Sequence, residues 1–242
     1  THCISSAASD VYKRQVNARY YYRTNGLVNL DKSNMPSYQP EAYQKPGCPI
    51  IVDLNGDGLI TVEDVDMKNV IPSLYWGFGN TFTYKNWDLD VFIYSQLGVD
   101  KYNDVYSWTS GRGLGNQTNN MSVYIKDVWH SELNPNGTIP GIAYEMASVS
   151  LPGGAGTDIG YENSSFVRVR NITLGYNFKP NQLGALSKLL SGIRVYVDVQ
   201  NPFTFTGYTG LDPEVNTGGN YKGGKAEYPQ TRTFSLGAKL SF

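Results

Sequence analysis

Apolar and polar positions alternate with a period of two in stretches of roughly ten residues, the pattern of strands with one apolar face. Thr231 to Phe242 shows it most simply. Phe234, Leu236, Ala238, Leu240 and Phe242 fall on one face; Thr233, Ser235, Gly237, Lys239 and Ser241 fall on the other. From Ile193 to Gln200, the residues Ile193, Val195, Val197 and Val199 oppose Arg194, Tyr196, Asp198 and Gln200. From Asn171 to Phe178, the apolar set is Ile172, Leu174, Tyr176 and Phe178. Two more strands flank Lys85-Asn86. Leu74, Trp76, Phe78, Phe82 and Tyr84 line one, and Trp87, Leu89, Val91 and Ile93 line the other. A sixth, weaker strand is expected over Val16 to Thr24.

Alternation alone fits a soluble sandwich, with the apolar face inside, or a membrane barrel, with that face on lipid. Three features favour the barrel. The connections are a tight turn at 85–86 and a modest one at 179–191, against long ones over 25–73, 98–165 and 204–230. Short turns on one side and long loops on the other suit an outer-membrane barrel; such loops are out of place in a compact soluble domain. Aromatics gather at strand ends: Tyr84, Trp87, Tyr176, Phe178 and Phe242 towards the short turns, and Tyr75, Trp76, Phe166, Phe203 and Phe234 towards the long loops. Phe234 and Phe242 span ~27 Å along a strand, or ~20 Å along the membrane normal when tilted, close to an apolar band of ~25 Å. Finally, the pattern Ser235-x-Gly237-x-x-Leu240-x-Phe242 resembles the signal that outer-membrane assembly machinery reads on barrel strands.

One stretch breaks the phase. In Phe166-Val167-Arg168-Val169-Arg170, arginines occupy the register that later carries Ile172 and Leu174. Either the stretch lies above the bilayer or a bulge shifts its phase. Lipid-facing arginine near the midplane would cost ~2–4 kcal/mol.

Composition narrows the function. Among 242 residues, charged types make up 17% and aromatics 13%, with 19 tyrosines and 26 glycines. The formal net charge of −1 gives no electrostatic reason to expect nucleic acid. No apolar run reaches the ~18 residues of a transmembrane helix, so a membrane role requires a barrel. The two cysteines, Cys3 and Cys48, allow at most one bridge, and His2 and His130 are the only histidines. No histidine-supported nucleophile or metalloprotease motif is present, so an enzyme is not expected and no catalytic residue is assigned. Residues 1–15 carry no signal-peptide pattern, and 3–15 resemble a translated adapter scar; they are left out of the fold, and 16–242 is treated as the barrel portion.

One motif carries metal chemistry. Asp53-Leu54-Asn55-Gly56-Asp57-Gly58-Leu59-Ile60-Thr61-Val62-Glu63-Asp64 is a calcium-loop pattern. Asp53, Asn55 and Asp57 supply side-chain oxygens, Gly58 allows the sharp turn, and Leu59 offers a carbonyl. Thr61 and Asp64 complete the set. Asp64 stands where an EF-hand has a bidentate glutamate, and dockerin-type loops share this aspartate. The competing reading is an Asn-Gly/Asp-Gly turn with solvated acids. No paired helices are evident around it, so calcium is expected in a structural role. Tyr102, Tyr106, Trp108 and Trp129 lie in a long loop, either stacking on substrate or partner or packing within the loop. Gly219 to Lys225 approaches a phosphate loop, but Ala226 replaces the required hydroxyl residue.

The ordered motifs resemble the C-terminal barrel portion of SusC/RagA family TonB-linked outer-membrane proteins. They run through Arg23-Thr24-Asn25-Gly26-Leu27, Pro46-Gly47, the 53–64 loop, Pro72-x-x-Tyr75-x-Gly77-Phe78 and Trp87-Asp88-Leu89-Asp90-Val91-Phe92. They continue through Phe166 to Tyr176, Arg194 to Thr204, Gly210-x-Asp212-Pro213-Glu214 and Tyr228-Pro229-x-x-Arg232-Thr233-Phe234. The resemblance covers about residues 19–242; an acidic residue is more usual at Asn25, and Cys48 is unusual.

It implies an all-β chain, the incomplete C-terminal part of a transmembrane antiparallel barrel, with about six strands and long extracellular loops. It further implies TonB-dependent nutrient uptake across a Gram-negative, Bacteroidetes-like outer membrane, with oligosaccharides or peptides as substrates. The implied partners are a SusD-like surface lipoprotein, membrane lipid and, through an N-terminal region outside this fragment, the TonB complex. By parity the 85–86 turn is periplasmic and the 53–64 loop extracellular. Alone, about six strands are too few for a barrel, which needs at least ~8, so transport by the fragment alone is not expected. The rival class is a soluble calcium-binding β-domain, an adhesin or glycan-binding module, with its Phe234/Leu236/Leu240/Phe242 face buried within the protein.

Overall fold

The computed structural model describes residues 19–68, 70–103, 106, 121–141, 151–152, 155–215 and 228–242. Its strands are β1 (Arg19–Tyr22), β2 (Thr24–Leu27), β3 (Pro49–Ile51), β4 (Val65–Lys68), β5 (Leu74–Tyr84), β6 (Trp87–Leu97), β7 (Asp100–Tyr102), β8 (Gly156–Thr157), β9 (Tyr161–Asn163), β10 (Phe166–Phe178), β11 (Gly192–Thr206) and β12 (Thr233–Ser241). None of the described helices is long and apolar enough to cross a membrane. The chain divides into two units, a sheet unit drawn from 72–99, 163–216 and 227–242, and a loop unit drawn from the remainder.

The sheet unit holds five antiparallel strands in the order β12-β11-β10-β6-β5. Its register makes the alternating pattern coherent across strands. Phe82, Leu89, Leu174, Val197 and Leu236 stand side by side in one row. A neighbouring row of the opposite face contains Thr83, Asp88, Gly175, Tyr196 and Gly237. The apolar face is open: Phe234 is 71% exposed, Leu236 78% and Phe242 82%. The soluble-domain alternative expected that face to be buried, and here it is not. At the tight turn between β5 and β6, Lys85 takes a left-handed φ of +57°.

The phase problem near Arg168 is resolved by a bulge. Both pairings of β10 shift register between Val169 and Asn171, so Val169 faces Ile93 and Phe203 while Ile172 faces Val91 and Val199. The apolar face therefore continues through both, and Arg168 turns to the polar face. The same shift moves Phe166. The sequence pattern placed it among the aromatics of the lipid-side rim, yet it is 2% exposed on the polar face with the Arg168 guanidinium over its ring. Tyr75 likewise alternates to the polar face, leaving Trp76, Phe203, Phe205 and Phe234 at the long-loop end of the apolar one.

The weak strand expected over 16–24 forms in its described part but does not join this sheet. β1 pairs with β4 antiparallel and with β8 parallel, and β2 pairs with β3. The physical reason is visible at Tyr21 and Tyr22, which are adjacent and both buried. A strand covered on both faces does not suit a barrel wall with one face on lipid. Tyr22 packs with Tyr43, Cys48, Ile51 and Leu151 to form the core of the loop unit, with Ile60 and Val65 against it. Cys48 is a buried free thiol, and burial pushes its pKa up to about 11. Cys3, and with it the 1–15 segment, lies outside the described residues.

Candidate functional site

The 53–64 loop is shaped by its acids and glycines. The Asp53 carboxylate accepts hydrogen bonds from the Gly56 amide at 2.7 Å and the Gly58 amide at 2.8 Å. Those bonds, the Gly58 one foremost, hold its carboxyl below the usual range. Asn55 Oδ1 accepts from the Asp57 amide and Asp57 Oδ1 from the Leu59 amide, two successive Asx turns. Gly58 sits at φ +82°, the left-handed turn that the sixth position of a calcium loop requires.

Asp64 closes the loop. Its side chain is fully buried, with Oδ1 accepting from the Leu54 amide at 2.9 Å and Oδ2 from the Thr61 amide at 2.8 Å. It therefore ties the entry of the loop to its exit. A short 3₁₀ turn over Val62–Asp64 places it there, capped by the Thr61 hydroxyl, which accepts from the Glu63 amide. The Tyr22 hydroxyl donates to the Thr61 carbonyl at 2.9 Å and anchors this end to the loop-unit core.

The donors fit a hard divalent cation by type, since Asp53, Asn55, Asp57 and the Leu59 carbonyl all offer oxygen. Among the described residues no three His, Cys, Asp or Glu side chains gather as a ready-made metal cage. Asp53, Asp57 and Asp64 accept from backbone amides, so this geometry also satisfies the reading of the segment as an Asn-Gly/Asp-Gly turn.

The residues of the assembly-type pattern lie along β12. Ser235 pairs with Asp198, Gly237 with Tyr196 and Leu240 with Ile193. The glycine has a packing reason. A Cβ at Gly237 would lie 2.4 Å from the Tyr196 ring, so the ring covers bare backbone. Phe242 is exposed, and its carbonyl accepts from the Ser191 hydroxyl.

The loop aromatics are used in packing. The Tyr102 ring lies against Gly160, where a Cβ would come within 2.8 Å, and meets Tyr161 edge-on at 5.2 Å. Tyr106 meets Tyr124 at 5.3 Å. Trp129 covers Gly47, a left-handed glycine whose Cβ would sit 2.3 Å from the indole. Trp108 and the Gly219 to Ala226 stretch lie outside the described residues.

Sequence reasoning missed the densest ionic cluster. Arg168 is 2% exposed and donates to Thr204 Oγ1, to Asp212 Oδ1 at 2.8 Å and to Glu214 Oε2 at 2.7 Å. Arg170 also pairs with Glu214. Asp212 accepts further from the Glu214 and Gln230 amides, so it joins both limbs of the connection between β11 and β12. Burial works to raise the Asp212 pKa, but these hydrogen bonds and the arginine hold it below the ordinary value. The signal was the pairing of an out-of-phase Arg-x-Arg with Asp212-Pro213-Glu214, both present in the sequence.

No protein-family model matches the chain. It is 31% identical over 206 residues to the TonB-dependent receptor P3 of Formosa agariphila, a match covering 81% of this chain and 19% of that protein. It is 33% identical over 208 residues to the TonB-dependent receptor SusC of Bacteroides thetaiotaomicron, covering 84% and 19% respectively. The chain thus spans about one fifth of the length of the curated relatives it matches. The solved structure of the RagAB peptide transporter superimposes with a TM-score of 0.64 at 24% identity, over 92% of this chain and 22% of the other. The closed-closed state of the RagAB peptide importer gives 0.63 at 22% identity, over 92% and 23%. These two likenesses carry the fold.

Proposed function

We propose that this chain, a SusC/RagA-like fragment of a TonB-dependent receptor, supplies one wall of an outer-membrane barrel that imports oligosaccharides or peptides. The observation that carries the reading is the open apolar face, continuous in register across five strands and flanked by aromatics at the strand ends. Lipid is the solvent that such a face suits, and antiparallel pairing satisfies the backbone there. The relatives are receptors and transporters, and RagAB is a peptide transporter. In this reading the chain is the C-terminal portion of the receptor. The long connections face outward towards a SusD-like lipoprotein, and the TonB complex engages another part of the receptor.

The chain is expected to fractionate with outer membrane and to need detergent for a monodisperse state. A monomeric, detergent-free chain with protected Leu236 would overturn the reading. In cells, uptake of a labelled peptide or oligosaccharide by the complete receptor is expected to stop without TonB.

The 53–64 loop takes calcium as a structural ion in this proposal. Asp53, Asn55, Asp57, Thr61, Asp64 and the Leu59 carbonyl are the groups that would hold it. Bound calcium would supply positive charge that stiffens a loop of clustered acids. Millimolar calcium is expected to slow proteolysis within this loop, and Asp57→Ala is expected to remove the protection. Equal cleavage with calcium and with a chelator would refute the metal site.

A further inference from the structure

The connection between β10 and β11 is more than a link. It contains two 3₁₀ turns, Pro180–Gln182 and Gly184–Lys188. The Leu189 amide donates to the Leu186 carbonyl at 3.0 Å, so these leucines lie one 3₁₀ turn apart, on the same side of the turn. Leu186 is 52% exposed and Leu189 68%, whereas the next residue, Leu190, is buried. From 179 to 191 there is no acid, and Lys179 and Lys188 are both exposed.

The turn is held on the apolar side of the sheet. Tyr176 belongs to the apolar face, opposite Trp87 and Val195. Its phenol oxygen accepts from Gln182 Nε2 at 3.1 Å and from Asn86 Nδ2 at 3.3 Å. Asn86 Nδ2 also donates to Gln182 Oε1 at 2.8 Å, joining this connection to the 85–86 turn. Around the joint, Trp87 and Phe178 meet Tyr176 edge-on at 4.8 and 4.7 Å, and Lys85 lies over Tyr84. Two exposed leucines, three lysines and a row of rings therefore end the face that the barrel reading assigns to lipid.

We infer that the 179–191 connection is an interfacial lipid anchor. Leu186 and Leu189 enter the headgroup–acyl boundary, and Lys85, Lys179 and Lys188 engage phospholipid phosphates. The occupant follows from continuity with the apolar face and from charge complementarity to anionic headgroups. The inference rests on the barrel reading and adds a membrane contact outside the strands.

The test uses the complete receptor that contains this chain, because the chain alone has too few strands to close a barrel. Every cysteine except Cys48 is replaced by serine, and the vesicles are three parts phosphatidylcholine to one part phosphatidylglycerol. A single cysteine is introduced as Leu189→Cys or, separately, Leu236→Cys, and labelled with an environment-sensitive fluorophore at pH 7. Cys48, buried and with its pKa raised to about 11, stays unlabelled. Lipids carry a nitroxide either near the headgroup end or near the chain terminus. The Leu189→Cys label is expected to lose about half its emission to the shallow nitroxide, and the Leu236→Cys label to respond more to the deep one.

Quenching at Leu236→Cys without quenching at Leu189→Cys overturns the anchor and leaves the barrel reading standing. Quenching at neither removes both. A Leu189→Cys label shielded from aqueous iodide yet untouched by nitroxide indicates a protein contact and overturns the lipid assignment. Lys179→Glu with Lys188→Glu is expected to weaken shallow quenching at low salt without changing Leu236→Cys; no change refutes the phosphate contacts.

Discussion

The two units solve the same physical problem in opposite ways. In the sheet unit the backbone is satisfied by long ladders, so polar side chains are free to pair with one another. Arg194 reaches over Gly175 to Asp88, Thr173 donates to Asp198, and Asn177 donates to Asp88. Apolar side chains are left outside. In the loop unit the strands are short and the core is inside, so polar side chains serve the backbone. Buried Gln39 donates to the Pro49 carbonyl and accepts from the Ile51 amide. The Tyr22 hydroxyl donates to the Thr61 and Pro152 carbonyls, and Asp64 accepts from two loop amides. Regular pairing makes an inverted solvent arrangement possible; irregular backbone demands side-chain partners wherever water is excluded.

The largest expected effect tests the exception in the sheet unit, its buried ionic cluster. Arg168→Leu leaves buried Asp212 without its cation, and Glu214 with Arg170 alone, and is expected to cost ~3–5 kcal/mol. Urea unfolding in detergent micelles, followed at Trp76 and Trp87, measures it. A cost below ~1 kcal/mol, typical of surface pairs, would show that the cluster is solvated.

The next test addresses the inversion. Val197→Arg places a charge within the apolar row and is expected to cost ~2–4 kcal/mol in vesicles. Gln200→Arg, on the polar face, is expected to stay within ~0.5 kcal/mol. Equal costs would remove the distinction between the faces.

Within the loop unit, Tyr22→Phe keeps the ring and deletes the hydroxyl that serves two carbonyls. A loss of ~1–3 kcal/mol is expected, with faster amide exchange over 59–64 and no change in β10–β12. Faster exchange in the sheet unit as well would mean that the two solutions are not separable.

The smallest effect is in pH. The folded Asp212 pKa lies below its ordinary value of 3.8, so its contribution is complete above about pH 5 and fades as pH falls through the folded value. Amide exchange at Glu214 and Gln230, corrected for intrinsic rates, is expected to accelerate below pH ~4 and to stay flat from pH 5 to 7. Acceleration on the alkaline side would contradict the sign.

The legible parts were those in which local periodicity and fold agree. Five strands with their apolar faces, the tight turn at Lys85 and the left-handed Gly58 all follow from spacing. The ordered motifs identified as SusC/RagA-like agree with the relatives found. The loop unit was less legible. Tyr21 and Tyr22 break alternation because both sides of β1 are covered, so period-two reasoning placed that strand in the wrong sheet.

The sequence by itself determined which residues can share a face, because the side-chain period of a strand is a property of the backbone. It determined the left-handed turn at Gly58 in the 53–64 loop for a similarly local reason. Only the tertiary structure decided where the phase slips, since a bulge is set by the partners on both sides of β10. That slip buried Phe166 and carried Arg168 to Asp212 and Glu214, more than forty positions away in the chain. It also decided that Tyr176, Asn86 and Gln182 meet at one end of the sheet. Long-range pairing fixes such meetings, and no local pattern encodes the register between strands that far apart.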